Sequence, residues 1–272
     1  MKIFCILGDE RVFSSKSTAM FTAVLKRIGI KGAYTPFKVE AGQIGAALQS
    51  LRVLNIDGAN IAVPYKESVL PHLDILSEGA NIIGAVNTIV RNKNVLKGYN
   101  TNAIGFMDTL EEIGYNASNK SAIVFGTGGL AKAVVFILNW LRSKNIIVAG
   151  RNKDKIQKLV SHIAGEPMLL KSMTSEPISA NIIINATSVS SPDESPEMAA
   201  LINKIELKDC ELLIDLNYGR NNNFWKDMAD AKGIKFLDGV NTLSNQARRS
   251  FALWTRIDVD PMEFRKAVYE VL

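Results

Sequence analysis

Residues 121–131 read Ser-Ala-Ile-Val-Phe-Gly-Thr-Gly-Gly-Leu-Ala, and the order of the whole chain can be worked out from them. Ala122 to Phe125 is a short apolar run that predicts a buried strand. Gly126, Thr127, Gly128 and Gly129 follow at once, and Leu130 to Leu141 predicts a helix with almost no charge. The spacing is G-x-G-x-x-A, closing on Ala131. A glycine at 126 permits a tight turn, one at 128 lets backbone approach a pyrophosphate, and a small residue at 131 lets helix pack on strand. The helix start offers unpaired N–H groups and partial positive charge to an anion. Lys144 to Ala149 predicts a second strand. Strand, helix and strand then fit within ~30 residues, the size of a mononucleotide-binding unit.

The end of that second strand bears on which dinucleotide is bound. An NAD site usually carries Asp or Glu about 20 residues past the glycines, to accept from the ribose 2′-OH. Here Gly150 is followed by Arg151 and Asn152, with Lys153 and Lys155 close behind. A carboxylate repels a 2′-phosphate, whereas a guanidinium binds it bidentately and stacks on adenine. The cofactor expected is NADP.

The chain has 272 residues, room for two modest domains or one large one. Apolar residues at 47% and charged residues at 22% mark a globular protein. No apolar run approaches the ~20 residues that span a bilayer. The start, Met1 to Gly8, reads as a first strand and not a signal peptide, so a cytoplasmic location is expected. Cys5 and Cys210 sit in apolar runs and are expected to be buried free thiols. His72 and His162 are isolated, and no Cys/His cluster has metal-ligand spacing, so no metal is expected. Net charge is +5, and it is scattered. No aromatic-interleaved basic stripe argues for nucleic acid, and a mildly positive surface suits carboxylate or polyanionic ligands.

Residues 1–101 alternate between strand and helix patterns. Strands are predicted at 3–7, 33–37 and 59–63, and helices at 18–28 and 41–54. Gly8 to Ser17 forms a loop after the first strand, and Pro64 ends the third. Such alternation predicts an α/β domain with a mainly parallel sheet and helices on both faces. A helix over 102–113 leads into the second half. There 181–186, 211–216 and 235–237 predict strands, 190–197 a turn-rich loop, and 242–254 and 262–271 closing helices. The active site is expected in a cleft between the halves, at carboxyl ends of strands.

Several separated motifs make the chain resemble the shikimate dehydrogenase family almost end to end. Ser15-Lys16-Ser17 resembles the family's S-K-S-P loop, and Asn60 to Lys66 (NIAVPYK) resembles N-V-T-x-P-[FY]-K. Gly84 to Thr88 is G-A-V-N-T intact, and Gly98 to Asn102 (GYNTN) resembles G-x-N-T-D. Gly126 to Ala131 and Gly150-Arg151-Asn152 resemble the family's NADP loop and N-R-T motif. Gly239 to Gln246 resembles G-x-x-M-L-x-x-Q.

The resemblance implies a discontinuous substrate domain (1–101 with 241–272) and a Rossmann-type NADP domain (102–240). It implies reversible NADP-linked reduction of 3-dehydroshikimate to shikimate, in chorismate and aromatic amino-acid biosynthesis, by a monomer or homodimer. The partner is then a hydroxylated cyclohexene carboxylate. Lys66 would carry the proton with Asn102 beside it, and Ser15, Ser17, Asn87, Tyr218 and Gln246 would bind substrate. Gly126, Thr127, Gly128, Gly129, Leu130, Ala131, Gly150, Arg151, Asn152, Lys155, Thr187 and Gly239 would face the cofactor. Serine hydroxyls suit a carboxylate, and amides suit ring hydroxyls.

The chain also departs from the pattern. Asn102 replaces the family's aspartate, which keeps the shape but removes a charge beside the lysine. Losing a buried partner charge costs a few kcal/mol, enough for a rate drop on the order of 10²-fold. Ala62 replaces a threonine, Thr18 a proline and Thr242 a methionine. Three readings follow: a slowed shikimate dehydrogenase, a paralogue oxidising quinate or an amino-shikimate analogue, or a binding protein with little turnover. On the first, Asn102→Asp raises turnover on shikimate.

Overall fold

The structure is a computed structural model describing residues 1–272. It divides into two compact units, residues 1–105 with 243–272, and residues 106–242.

The first unit opens with β1 (Lys2–Gly8), α1 (Ser17–Arg27), β2 (Gly32–Lys38), α2 (Ile44–Val53) and β3 (Gly58–Ile61). β4 (Ile75–Leu76), α3 (Glu78–Ile83), β5 (Thr88–Asn92), β6 (Val95–Tyr99) and the start of α4 (Thr101–Glu112) follow. The helices obey the apolar spacing of the sequence: α1 buries Met20, Phe21, Val24 and Leu25, and α2 buries Ile44, Leu48 and Leu51. Ser77 caps α3 by accepting from Ala80 N, and Gly84 ends it in the left-handed region at φ 66°.

The first sheet has the order β2-β1-β3-β5-β6-β4. It is mainly parallel, but β5 runs against both its neighbours. That reversal places the start of β5 beside the end of β3, since Asn60 pairs with Thr88. Thr88 also pairs with Tyr99 at the end of β6, and β1 ends beside β3, with Leu7 opposite Ile61. The segments after β1, after β3, before β5 and after β6 therefore all leave one edge of the sheet. Loop 8–17 is not irregular throughout, because Glu10–Ser14 winds into a 3₁₀ turn capped by Asp9.

In the second unit β7 (Ser121–Phe125), α5 (Gly129–Trp140), β8 (Asn145–Gly150), α6 (Lys153–His162) and β9 (Glu166–Leu169) come first. After them come β10 (Ile178–Ser179), β11 (Ile182–Asn185), α7 (Pro196–Ile202), β12 (Leu207–Lys208), β13 (Leu212–Asp215), α8 (Phe224–Lys232) and β14 (Lys235–Leu237). Its main sheet is parallel throughout, in the order β14-β13-β11-β7-β8-β9. That is the doubly wound order 3-2-1-4-5-6, and its direction reverses between β7 and β11, where such folds bind ligands. β7, β11 and β13 are almost wholly buried, as expected for strands covered on both faces. Cys210 lies outside β13 and is only partly buried, unlike Cys5; both are free.

The chain closes with α9 (Val240–Thr255) and α10 (Pro261–Tyr269). These return to the first unit, where Phe251, Trp254 and Phe264 complete an aromatic core. Phe21 stacks on Tyr34 at 4.6 Å, and Phe4 on Trp254 at 4.8 Å. Within the same unit α4 and α9 touch at Gly105. A Cβ there would lie 2.6 Å from Gln246 N, so only glycine lets the two helices come this close.

Candidate active site

At the edge of the first sheet the polar groups are buried and tied together. Asn87 Oδ1 accepts from the backbone N–H of Thr101 at 2.7 Å, which fixes the amide's orientation. Its Nδ2 must then be the group facing Thr101 Oγ1 (2.9 Å), Asn102 Oδ1 (3.2 Å) and Gln246 Oε1 (3.2 Å). Gln246 Nε2 donates to Leu243 O, so its oxygen is also held toward the cluster. All four side chains are buried.

A second layer supports the first. Thr88, Thr101 and Ser250 exchange hydroxyl bonds at 2.8–3.0 Å. Asn60 Nδ2 donates to Thr88 and Ser250, and its oxygen accepts from Tyr34 OH at 2.8 Å. Thr88 and Thr101 lie inside recognisable motifs, but Ser250 and Tyr34 do not. The one signal for Ser250 is its position one helical turn after Gln246, on the same face of α9.

Lys66 follows the end of β3 after a cis Val63–Pro64 peptide bond. Its backbone oxygen accepts from Val86 N at 2.8 Å, which brings its segment alongside Asn87. The side chain is partly buried. Desolvation lowers its ammonium to about 8, and no carboxylate opposes that shift.

Ser15 and Ser17 stand on the neighbouring loop and share no hydrogen bond with the amide cluster. Ser15 Oγ accepts from Ser17 N at 3.3 Å, and Ser17 begins α1, whose first turn has no side-chain cap. Lys16 points away, donating to Val271 O at 2.5 Å. Thr18 keeps a buried Oγ1 with no partner.

In the second unit the glycine turn sits at the end of β7, at the switch point. Gly126 has φ 120°, and a Cβ on it would lie 2.9 Å from Ala186 O. A Cβ on Gly128 would meet nothing within 4 Å. Gly128 caps α5 without a side-chain hydrogen bond, so the first N–H groups of the helix are left for a ligand, while Ala131 is fully buried. The space and the free donors fit a pyrophosphate. Gly129 and Leu130 form the helix's first turn, and Thr127 lies beside Gly150.

Gly150 and Arg151 line a cavity of about 680 Å³ with Leu169, Lys171, Glu197 and Met198. Arg151 is exposed there. Asn152 caps α6, accepting from Lys155 N at 2.9 Å, and neither Asn152 nor Lys155 lines that cavity. Lys171 is a cation that sequence spacing does not reveal, because it comes from a later segment.

Thr187 turns its hydroxyl inward to Asn185 Oδ1 at 2.7 Å. Asn185, Asn217 and Asn223 also surround the buried Asp215, whose pKa burial raises against those bonds. Tyr218 lies on the next loop, in a cavity of about 310 Å³ with Asn217 and Asp238, and burial raises its phenol pKa. Gly239 N donates to Asn217 O at 2.9 Å. Thr242 Oγ1 donates to Thr109 Oγ1 and is buried.

A doubly wound sheet with a glycine turn and uncapped helix at its switch point, joined in one chain to a unit bearing a desolvated lysine and an amide cluster, defines the class of two-domain dinucleotide-linked oxidoreductases. Comparison with known proteins narrows the class. Residues 6–89 match the shikimate dehydrogenase substrate binding domain, and residues 108–236 match the shikimate/quinate 5-dehydrogenase family. A shikimate dehydrogenase (NADP(+)) of Caldanaerobacter subterraneus is 33% identical over 262 residues, covering 93% of this chain and 91% of its own. One from Bacillus licheniformis is 33% identical, covering 99% of this chain and 97% of its own. The crystal structure of shikimate 5-dehydrogenase from Thermus thermophilus, in complex with NADP(H) and shikimate, superposes with a TM-score of 0.87 at 30% identity over 100% of both chains. The chain belongs to the shikimate dehydrogenase family.

Proposed function

We propose that this chain reversibly reduces 3-dehydroshikimate to shikimate with NADP, a step toward chorismate and the aromatic amino acids. The observation that carries the reading is the buried Asn87–Thr101–Asn102–Gln246 cluster beside the Lys66 segment, at one edge of the first sheet. Clustered amides and hydroxyls recognise a ring carrying several hydroxyls, and reject a ring that leaves them unpaired. Ser15 and Ser17, with the free N–H groups of α1, suit the carboxylate.

NADP, when bound, supplies or takes the hydride, so the protein must orient the ring and move one proton. Lys66 Nζ gives that proton to the developing oxyanion in reduction and takes it back in oxidation. Desolvation to about 8 keeps both its forms populated near working pH. The turn from Gly126 to Ala131 and the start of α5 hold the pyrophosphate, and Arg151 pairs with the 2′-phosphate. The unit of residues 1–105 and 243–272 thus serves the acid, and residues 106–242 serve NADP.

The test is NADP reduction followed spectrophotometrically with shikimate and quinate in parallel. Faster turnover on shikimate supports the proposal. Faster turnover on quinate, or none on either, overturns it.

A further inference from the structure

Asn102 is 7% exposed, and its Nδ2 is buried without a hydrogen-bond partner. The orientation of that amide follows from its neighbours. The Thr101 N–H can only donate, so Asn87 turns its oxygen to Thr101 and its Nδ2 toward Asn102. Asn102 must answer with its oxygen, because the reverse orientation would set two N–H donors face to face. Its own Nδ2 is left pointing the other way with hydrogens to give. A buried donor with no acceptor is costly, and a native site keeps one where a ligand completes it.

We infer that Asn102 is a specificity-determining donor, and that the ligand must present an acceptor oxygen to it, a hydroxyl or a ketone but not an ammonium. The inference rests on the function proposed above and goes further, because it fixes the polarity of one contact. A hydroxyl can accept as well as donate, and a ketone oxygen only accepts, so both forms of the substrate fit. An ammonium only donates, and it would bring an unpaired charge against the Asn102 N–H. An aspartate at this position would keep the bond from Asn87 with one oxygen and present an acceptor with the other, which reverses the selection. Asn102 therefore excludes a ring that carries an amino group at the carbon facing it.

The test measures binding by calorimetry to the protein loaded with NADPH, which cannot oxidise the ring, using shikimate and its analogues with one hydroxyl replaced by hydrogen or by an amino group at C3, C4 or C5. At one ring carbon the wild type ranks hydroxyl above hydrogen above ammonium, with hydrogen ~10-fold and ammonium ~100-fold weaker. Asn102→Asp moves ammonium to the top at that carbon and leaves the ranking at the other two unchanged. Should Asn102→Asp fail to fold, Asn102→Ala gives the second reading, with hydroxyl and hydrogen binding equally at that carbon alone. An identical ranking in wild type and variants overturns the donor role while the proposed function stands. Absence of any binding to shikimate overturns both.

Discussion

Lys66 is the residue whose chemistry is most exposed to test. Its amine must be neutral to take a proton, so shikimate oxidation should rise with pH through about 8 and level off, while reduction falls over the same range. Lys66→Met should lower turnover by ~10²–10⁴-fold with NADP affinity unchanged, measured by steady-state kinetics and titration. The same variant should be more stable at pH 7. The folded pKa, about 8, lies below the usual 10.5, so the unfolded chain binds more protons between those values. The cost of the desolvated ammonium is fully present below about 8 and gone above 10.5. Removing it should raise stability at pH 7 by ~3 kcal/mol, with the gain fading across that window in denaturant titrations. Arg151→Ala should weaken NADP by ~10–100-fold and leave NAD unchanged. At this scale the gathering of Asn87, Asn102 and Gln246 into one buried cluster was legible because each sits in a motif. Tyr34 and Ser250 were not, because their bonds join segments that local spacing cannot relate. Nor could sequence show that Asn152 spends its side-chain oxygen on capping α6.

Among the elements, the glycine turn after β7 separates two physical demands. Gly126 needs its positive φ and has Ala186 O where a Cβ would go, so Gly126→Ala should cost ~1–3 kcal/mol in thermal or denaturant unfolding. Gly128 has extended backbone and open space around it. Gly128→Ala should therefore change stability by under ~1 kcal/mol yet weaken NADP by ~10-fold, because the methyl group occupies the ligand's approach. Apolar runs announced the central strands, apolar spacing announced α1, and an almost uncharged run after the glycine turn announced α5. β9 was hidden because it is an edge strand holding Pro167, which only an edge tolerates. α6 was hidden because only Ile156 and Leu159 are buried on an otherwise polar helix. The reversal of β5 was also unreadable, since alternation of side chains carries no direction.

For the whole molecule, the first unit is assembled from both ends of the chain. Phe264 of α10 lies 5.8 Å from both Phe21 and Phe251 and is fully buried. Phe264→Ala should cost ~3–5 kcal/mol and lower the unfolding midpoint accordingly. The two-domain organisation was legible from the order of motifs, because the last helices follow the nucleotide segment yet carry Gln246 of the other motif set. The same closure has a practical side. Val271 O steadies Lys16, which stands between Ser15 and Ser17, whereas β1 starts at the opposite rim of the sheet from those serines. A purification tag fused behind Leu272 would tug on that anchor, and one fused ahead of Met1 would trail harmlessly. The two fusions should differ in KM for shikimate and agree in KM for NADP, so enzymology on this protein belongs with the handle at its front.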